Sequence, residues 1–134
     1  MKKEDVLYRG FTKNGGLAIG LPEFRKNLTL ITDNYIYTEI IPETLSRFTG
    51  KKDRNNKLIF EGDIVRYEFK DSDGQEESED YLVQWDREQA GFCISLPGNY
   101  FEDGLSGMEY FEVVGNVYKN PELAKQFDSV RKGI

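Results

Sequence analysis

The sequence predicts a mainly β protein: a small antiparallel, barrel-like domain of the SH3-like kind, with N-terminal hairpins and a short C-terminal helix. Short runs rich in β-branched and aromatic residues recur about every 8–12 residues. Clusters of Gly, Asn and Asp separate them and supply turns, a pattern that favours a small antiparallel barrel or sandwich over a βαβ architecture. One segment near the C-terminus has the spacing of a helix. With 134 residues the chain is long enough for a single domain, residues 1–134, to bury a core.

Two hairpins are predicted in the first third of the chain, from four short runs at Tyr8–Phe11, Leu17–Leu21, Leu28–Thr32 and Tyr35–Ile41. Asn14-Gly15 and Asp33-Asn34 supply the turns, because Asn and Gly tolerate positive φ. Pro42 follows and favours one short helical turn, since proline suits the first helical position.

Five later runs are typical of strands: Leu58–Phe60, Ile64–Phe69, Tyr81–Trp85, Gly91–Leu96 and Tyr110–Val114. Their alternation predicts a core formed largely by Ile64, Val65, Leu82, Val83, Val113 and Val114. The stretch Lys70–Asp80 contains no apolar residue and predicts a solvated loop. Asn120 as N-cap and Pro121 at the first helical position predict a helix that reaches about Val130.

Composition narrows the class of protein. The formal net charge of −6 repels polyanions, so generic nucleic-acid binding is not expected. No apolar run approaches the ~20 residues that span a bilayer, and no signal peptide is evident, so we expect neither export nor a membrane location. The single Cys93 cannot form an internal disulfide, is predicted to be buried, and suits a reducing cytoplasm.

Enzymatic chemistry is not expected, and the sequence predicts no catalytic, cofactor-binding or metal-binding residue and no cofactor. The chain has no histidine, which removes the commonest general base and zinc ligand. Asp63 follows a glycine and is predicted to bond turn amides. The acidic stretch from Asp71 to Asp80 offers oxygen ligands for a hard cation, although a self-repelling surface loop is the favoured interpretation.

Four aromatic residues are candidates for binding a partner: Trp85, Tyr100, Phe101 and Tyr67. Aromatic side chains are enriched at interface hot spots, but core packing is the competing interpretation for those on strands. Tyr100 and Phe101 are adjacent, so both cannot point inward from an extended backbone. The basic turn from Lys51 to Lys57 is a candidate nucleic-acid contact, with a charged hairpin tip as the favoured alternative.

Two strings carry a family resemblance: RFTGKKDRNNKLIFEGDIVRYEF from Arg47 to Phe69, and FEVVGNVYKNPEL from Phe111 to Leu123. Together they resemble the YopX family of small phage and prophage proteins. The resemblance covers residues 44–123, whereas residues 1–43 depart from it. It implies a phage or prophage origin and assigns no biochemical role.

Three hypotheses follow. The leading one is a non-enzymatic module that binds a protein partner in the cytoplasm of the bacterial host. The alternative is a nucleic-acid-associated phage protein that uses the Lys51–Lys57 turn. The third is an enzyme that works with carboxylates and a divalent cation. Open sheet edges also allow a homo-oligomer.

Overall fold

The computed structural model describes residues 7–98 and 104–131. The chain divides into two compact units, Met1–Gly50 and Lys51–Ile134. Each consists mainly of antiparallel strands, which confirms the predicted mainly β class. The expectation of a single domain over residues 1–134 stays a prediction.

The strands of the first unit are β1 (Tyr8–Phe11), β2 (Leu17–Arg25), β3 (Leu28–Asp33), β4 (Ile36–Glu39) and β5 (Ser46–Lys52), whose last residues belong to the second unit. β1 to β4 form an antiparallel meander, and β5 pairs with β1. Their order is β4-β3-β2-β1-β5. Both predicted hairpins are confirmed. The β3–β4 turn lies one residue later than predicted, because Asn34 and Tyr35 take the positive φ values that a two-residue loop requires.

The segment after β4 returns to β1. The N–H of Ile41 donates to the carbonyl of Phe11, at 2.8 Å, and the N–H of Phe11 donates to Oγ1 of Thr44, at 2.9 Å. Thr44 lies in the 3-10 helix Pro42–Thr44, which is the short helical turn that Pro42 predicts. Ile40 covers Gly10 so closely that a Cβ has no room there. These contacts bury Phe11 and Ile40 in the core of the unit.

The second unit is built from β6 (Leu58–Phe60), β7 (Asp63–Lys70), β8 (Glu76–Asp86), β9 (Gly91–Ser95), β10 (Glu112–Asn116) and α1 (Pro121–Ala124). Its four-stranded antiparallel sheet has the order β10-β7-β8-β9. The predicted barrel closure is wrong: the sheet is open. The edge strands β9 and β10 have five residues each; in this sheet β9 pairs with β8 and β10 pairs with β7, and the strand order does not bring the two edges together.

Two apolar clusters cover the two faces of this sheet. Adjacent residues of a strand point to opposite faces, so Ile64 and Leu82 enter one cluster and Val65 and Val83 the other. The remaining buried members are Val117, Ala124, Phe127 and Val130 in the first cluster, and Ile59, Ile94 and Met108 in the second. Val114 and Val113 pack against them half-buried. The predicted core is confirmed, as is the burial of Cys93.

The prediction of a loop at Lys70–Asp80 is wrong. Residues 76–80 belong to β8 and pair with residues 66–70 of β7, so only a short turn separates the strands. Beyond the reach of β9 and β10, residues 67–79 form a two-stranded ribbon. A strand exposed on both faces needs no apolar period, which is why the pattern concealed this one.

The C-terminal helix is shorter than predicted. α1 ends at Ala124 and continues as a 3-10 turn through Phe127. Asn120 occupies the predicted N-cap position before Pro121, but its side chain accepts the N–H of Asn116 and makes no capping hydrogen bond. None of the helices among the described residues is long and apolar enough to cross a membrane.

Candidate partner-binding surface

The turn at Asp53–Lys57 is held by one carboxylate. Oδ1 of Asp53 accepts the backbone N–H groups of Asn55, at 2.8 Å, and of Lys57, at 2.9 Å. Asn56 takes a positive φ of 63°, which Asn tolerates. The Asp and Asn of this family-like string therefore form a turn that ends β5 and starts β6.

Asp53 also joins this turn to β10. It is buried, and its Oδ2 accepts the N–H of Val113 at 2.9 Å. Burial by itself raises the pKa of Asp53, but the hydrogen bonds from Val113, Lys57 and Asn55 outweigh it, so the pKa lies below the ordinary value of an aspartate. The carboxylate is thus a structural tie between segments 60 residues apart in the chain.

Arg54 braces the same region. Its backbone N–H donates to the carbonyl of Phe111 at 2.8 Å. Its guanidinium bonds Glu112 of β10 at 2.6 Å and Glu68 of β7 at 3.1 Å. The hydrogen bond to Glu68 contributes most to raising the pKa of Arg54. The basic turn therefore has one of its cations paired with two carboxylates, as a hairpin tip with a structural role would.

The acidic stretch contains a second turn of the same design. Oδ1 of Asp71 accepts the N–H groups of Asp73 and Gln75, both at 2.9 Å, and Gly74 takes the positive φ. Over residues 7–98 and 104–131 no group of three or more Cys, Asp and Glu is placed to hold a metal ion.

On one face of the ribbon and of its base, basic side chains lie opposite acidic ones. Arg66 donates to Oδ1 of Asp80 at 2.7 Å and to Oδ2 at 3.1 Å. Lys70 lies opposite Glu76 in the register. With the Arg54 contacts to Glu68, these pairs link β7 to β8 and to the Asp53–Lys57 turn, and so hold the base of the ribbon in place.

The other face carries a cluster of rings, here called the aromatic face: Tyr67, Phe69, Tyr81 and Phe111. The ring of Tyr67 lies 5.3 Å from Phe111 and 6.0 Å from Phe69, and Tyr81 meets Phe111 edge-on at 5.6 Å. Tyr67 keeps 38% of its surface exposed. Glu77 and Glu79, opposite Phe69 and Tyr67 in the register, place carboxylates beside the rings.

The sequence-predicted binding residues do not form one group. Tyr67 is on the aromatic face. Trp85 packs edge-on against Phe92 at 5.0 Å, and it lies six residues along β8 from Glu79, the partner of Tyr67, which is ~20 Å. Tyr100 and Phe101 lie outside the described residues.

Sequence reasoning missed Phe69 and Phe111 as partners of Tyr67. The period-two spacing from Tyr67 to Phe69 was an available signal, because such residues share a face of a strand. Phe111 is distant in sequence, so only the pairing of β10 with β7 brings it close.

The residues of the family-like strings have structural roles elsewhere too. Gly62 takes a φ of 88°, and Asp63 accepts the N–H of Phe60 as predicted. Gly115 is next to a bulge in β10, where a Cβ would press on Asn120. The side chain of Asn116 accepts two N–H groups of the turn that follows. These residues therefore shape the turns of the second unit.

Comparison with known families identifies the family of the chain. A family model described as YopX protein matches residues 18–125, which is most of the chain. The chain belongs to the YopX family. The match starts at residue 18, so residues 18–43, which were expected to depart from the family, lie within the matched YopX region. No curated protein matches this YopX protein.

Proposed function

We propose that this YopX protein is a non-enzymatic interaction module that binds a positively charged, extended segment of a partner protein on its aromatic face. The observation that carries the proposal is the exposed ring of Tyr67 within an aromatic cluster that is flanked by Glu77 and Glu79. Arginine side chains stack on aromatic rings and bind carboxylates with two parallel hydrogen bonds. A surface that offers both groups suits an arginine-containing ligand.

Charge supports a cationic partner. Residues 51–131 carry 18 acidic and 10 basic side chains, whereas residues 7–50 carry four acidic and five basic ones. The charge of the chain is therefore concentrated in the unit that holds the aromatic face. Such a field attracts cations and speeds encounter with them.

The ribbon also has the rigidity that a binding surface needs. Its base is tied on the opposite face by Arg66 with Asp80 and by Arg54 with Glu68. Val65 and Val83 anchor the adjoining part of the sheet in the core. A surface held in this way loses little conformational entropy on binding.

The setting of this function is part of the proposal. The lack of histidine supports a binding role over catalysis. The buried lone thiol of Cys93 is compatible with a reducing cytoplasm, and the family resemblance supports a bacterial host that carries a phage or prophage.

The test is a titration of the 15N-labelled full chain with a short peptide of alternating arginine and serine, followed by NMR. We expect shifts of backbone amides in residues 66–70 and 76–81 that weaken as salt is added. A matched peptide with glutamate in place of arginine should produce none. Shifts confined to other parts of the chain, or equal shifts with both peptides, would contradict the proposal.

Two variants test the chemistry of the surface. Tyr67→Ser removes the exposed ring, and Glu79→Gln removes a neighbouring charge without changing its size. Each should weaken binding of the arginine peptide about fivefold, since a cation–π contact or an ion pair contributes ~1 kcal/mol. Tyr110→Ser is the matched control, because Tyr110 is exposed in the same unit but belongs to a short 3-10 turn. The affinity of this variant for the arginine peptide should equal that of the native chain.

A further inference from the structure

Strand β4 forms one edge of the sheet of the first unit. The N–H of Ile40 donates to the carbonyl of Thr29, which lies opposite it, so this is a hydrogen-bonded pair of β3 and β4. Such pairs alternate in an antiparallel ladder, so Ile36 and Thr38 also point their backbone groups toward β3, and Tyr37 points its own outward, as does Glu39.

A contact at the end of the strand agrees with this alternation. Ile41, the next outward position, donates its N–H to Phe11. Among the described residues the outward N–H and C=O groups of Tyr37 and Glu39 have no partner. They form a short free edge.

Apolar side chains surround this edge on both faces. Tyr35 is 95% exposed, Ile36 68% and Tyr37 50%. Natural edge strands are protected by proline, a charged side chain, a bulge or short length, and of these β4 has only its length of four residues and the charge of Glu39. A cleft of about 380 Å³ beside Glu39 and Ile40 leaves room for the end of an added strand.

The edge is complementary to itself. In an antiparallel pair of two β4 strands centred on Thr38, Tyr37 of each copy lies opposite Glu39 of the other. The guanidinium of Arg25 lies 4.9 Å from the centre of the Tyr37 ring in its own chain. The carboxylate of each copy therefore arrives next to a cation of the other, twice by symmetry. Residues 7–50 are nearly neutral, so this approach meets little repulsion.

We propose that β4 is a self-association surface on which a second copy of this chain adds its own β4, antiparallel and centred on Thr38. The pair gains four backbone hydrogen bonds through Tyr37 and Glu39 of both copies. It also covers Tyr37 and Ile36, whose exposure a lone copy leaves unexplained. An interface this short gives a weak dimer, with a Kd in the range of about 1–100 μM.

Sedimentation velocity of the full chain across a concentration series tests this. We expect a species of twice the 15.5 kDa chain mass at the upper end of the series. A chain that stays monomeric up to about 0.5 mM would overturn the proposal, and would leave this edge to a segment of a different protein.

Tyr37→Pro is the decisive variant. Because the Tyr37 N–H points outward, proline removes no hydrogen bond of the unit, yet it removes a donor of the dimer. Dimerisation should weaken at least tenfold with the circular dichroism spectrum unchanged. Tyr110→Ser is the matched control: it removes a side chain that is 66% exposed but belongs to the 3-10 turn Met108–Tyr110 of the second unit, and it should dimerise as the native chain does.

Glu39→Lys supplies a second readout that leaves the backbone intact. It replaces an attraction to Arg25 of the other copy with a repulsion, so the dimer should again weaken about tenfold or more. The proposal is overturned if the native chain dimerises and this variant dimerises equally well, whatever the folding of Tyr37→Pro.

Discussion

In the second unit, one aspartate holds each of two turns. Asp53 holds the turn that contacts the base of the ribbon through Arg54, and Asp71 holds the turn at the tip of the ribbon. Asp53 and Asp71 each accept two turn amides through Oδ1, and the residue three positions later takes a positive φ. The two differ in their second oxygen. Oδ2 of Asp53 receives the N–H of Val113 from a distant strand, whereas Asp71 caps only its own turn. The same local motif is a tertiary tie in one place and a simple turn in the other.

Asp53→Asn should destabilise the protein by about 2 kcal/mol. Asparagine keeps one oxygen for the turn amides, but its NH₂ group faces the N–H of Val113 and leaves a donor unpaired in a buried place. Asp71→Asn is the matched control and should cost less than about 0.5 kcal/mol. Urea denaturation at pH 7 measures both. Equal losses would mean that the bond to Val113 contributes nothing.

The pKa of Asp53 predicts a pH dependence. Because the folded pKa lies below the unfolded value, the carboxylate stabilises the fold fully above about pH 4, and this contribution is lost as the pH falls through the folded pKa. The stability gap between the native chain and Asp53→Asn should therefore shrink below about pH 4. Urea melts from pH 7 to about 2.5 would show it. A gap that is constant over this range contradicts the assignment.

At the scale of the element, the ribbon separates two kinds of chemistry. Successive residues of β7 alternate between the charged face, with Arg66 and Glu68, and the aromatic face, with Tyr67 and Phe69. Ion pairs at the base hold the ribbon in place, and the rings on the other face form the surface for which a ligand is proposed.

Deleting Asp73–Glu79 should lower the melting temperature by about 5 °C or more. The deletion removes the Asp71 turn and leaves residues 67–70 of β7 without a partner strand. A symmetric deletion of Phe69, Lys70, Glu76 and Glu77 keeps the turn between Glu68 and Ser78, which already pair, so it should cost far less. Differential scanning calorimetry compares the two. If the first deletion melts like the native chain, the ribbon is not a paired structure in solution.

At the scale of the whole molecule, the uneven distribution of charge along the chain determines which charged molecules it attracts. The second unit is strongly acidic, and Arg54 of its basic turn already contacts Glu68 and Glu112. Few cations are left to displace counterions from a nucleic acid. The charge distribution therefore favours basic partners over polyanions.

We accordingly expect negligible DNA binding at physiological salt. Fluorescence anisotropy of labelled single- and double-stranded DNA across a salt series checks this. Any binding at low salt should disappear when Lys51, Lys52 and Lys57 are replaced by Ser, because these are the remaining cations of the turn. Submicromolar binding that persists at physiological salt would instead support the nucleic-acid hypothesis.

The sequence by itself determined those features of the structure that depend on residues close together in the chain. The hairpin turns at Asn14-Gly15 and Asn55-Asn56 follow from residues that tolerate positive φ. The buried pairs Ile64-Val65 and Leu82-Val83 follow from apolar residues in strands covered on both faces. The family strings belong here in part: Asp63 and one oxygen of Asp53 accept amides of their own turns, whereas the other oxygen of Asp53 bonds a distant strand.

Only the tertiary structure decided which distant segments meet. Residues 76–80 are polar on both faces, so pairing with β7 left no apolar period to read. The contacts of Arg54 with Glu112 and of Tyr67 with Phe111 span more than 40 residues and depend on the register of β10 with β7. A one-residue slip in that register would send each side chain to the opposite face. The aromatic face therefore exists through strand pairing, which no local pattern encodes.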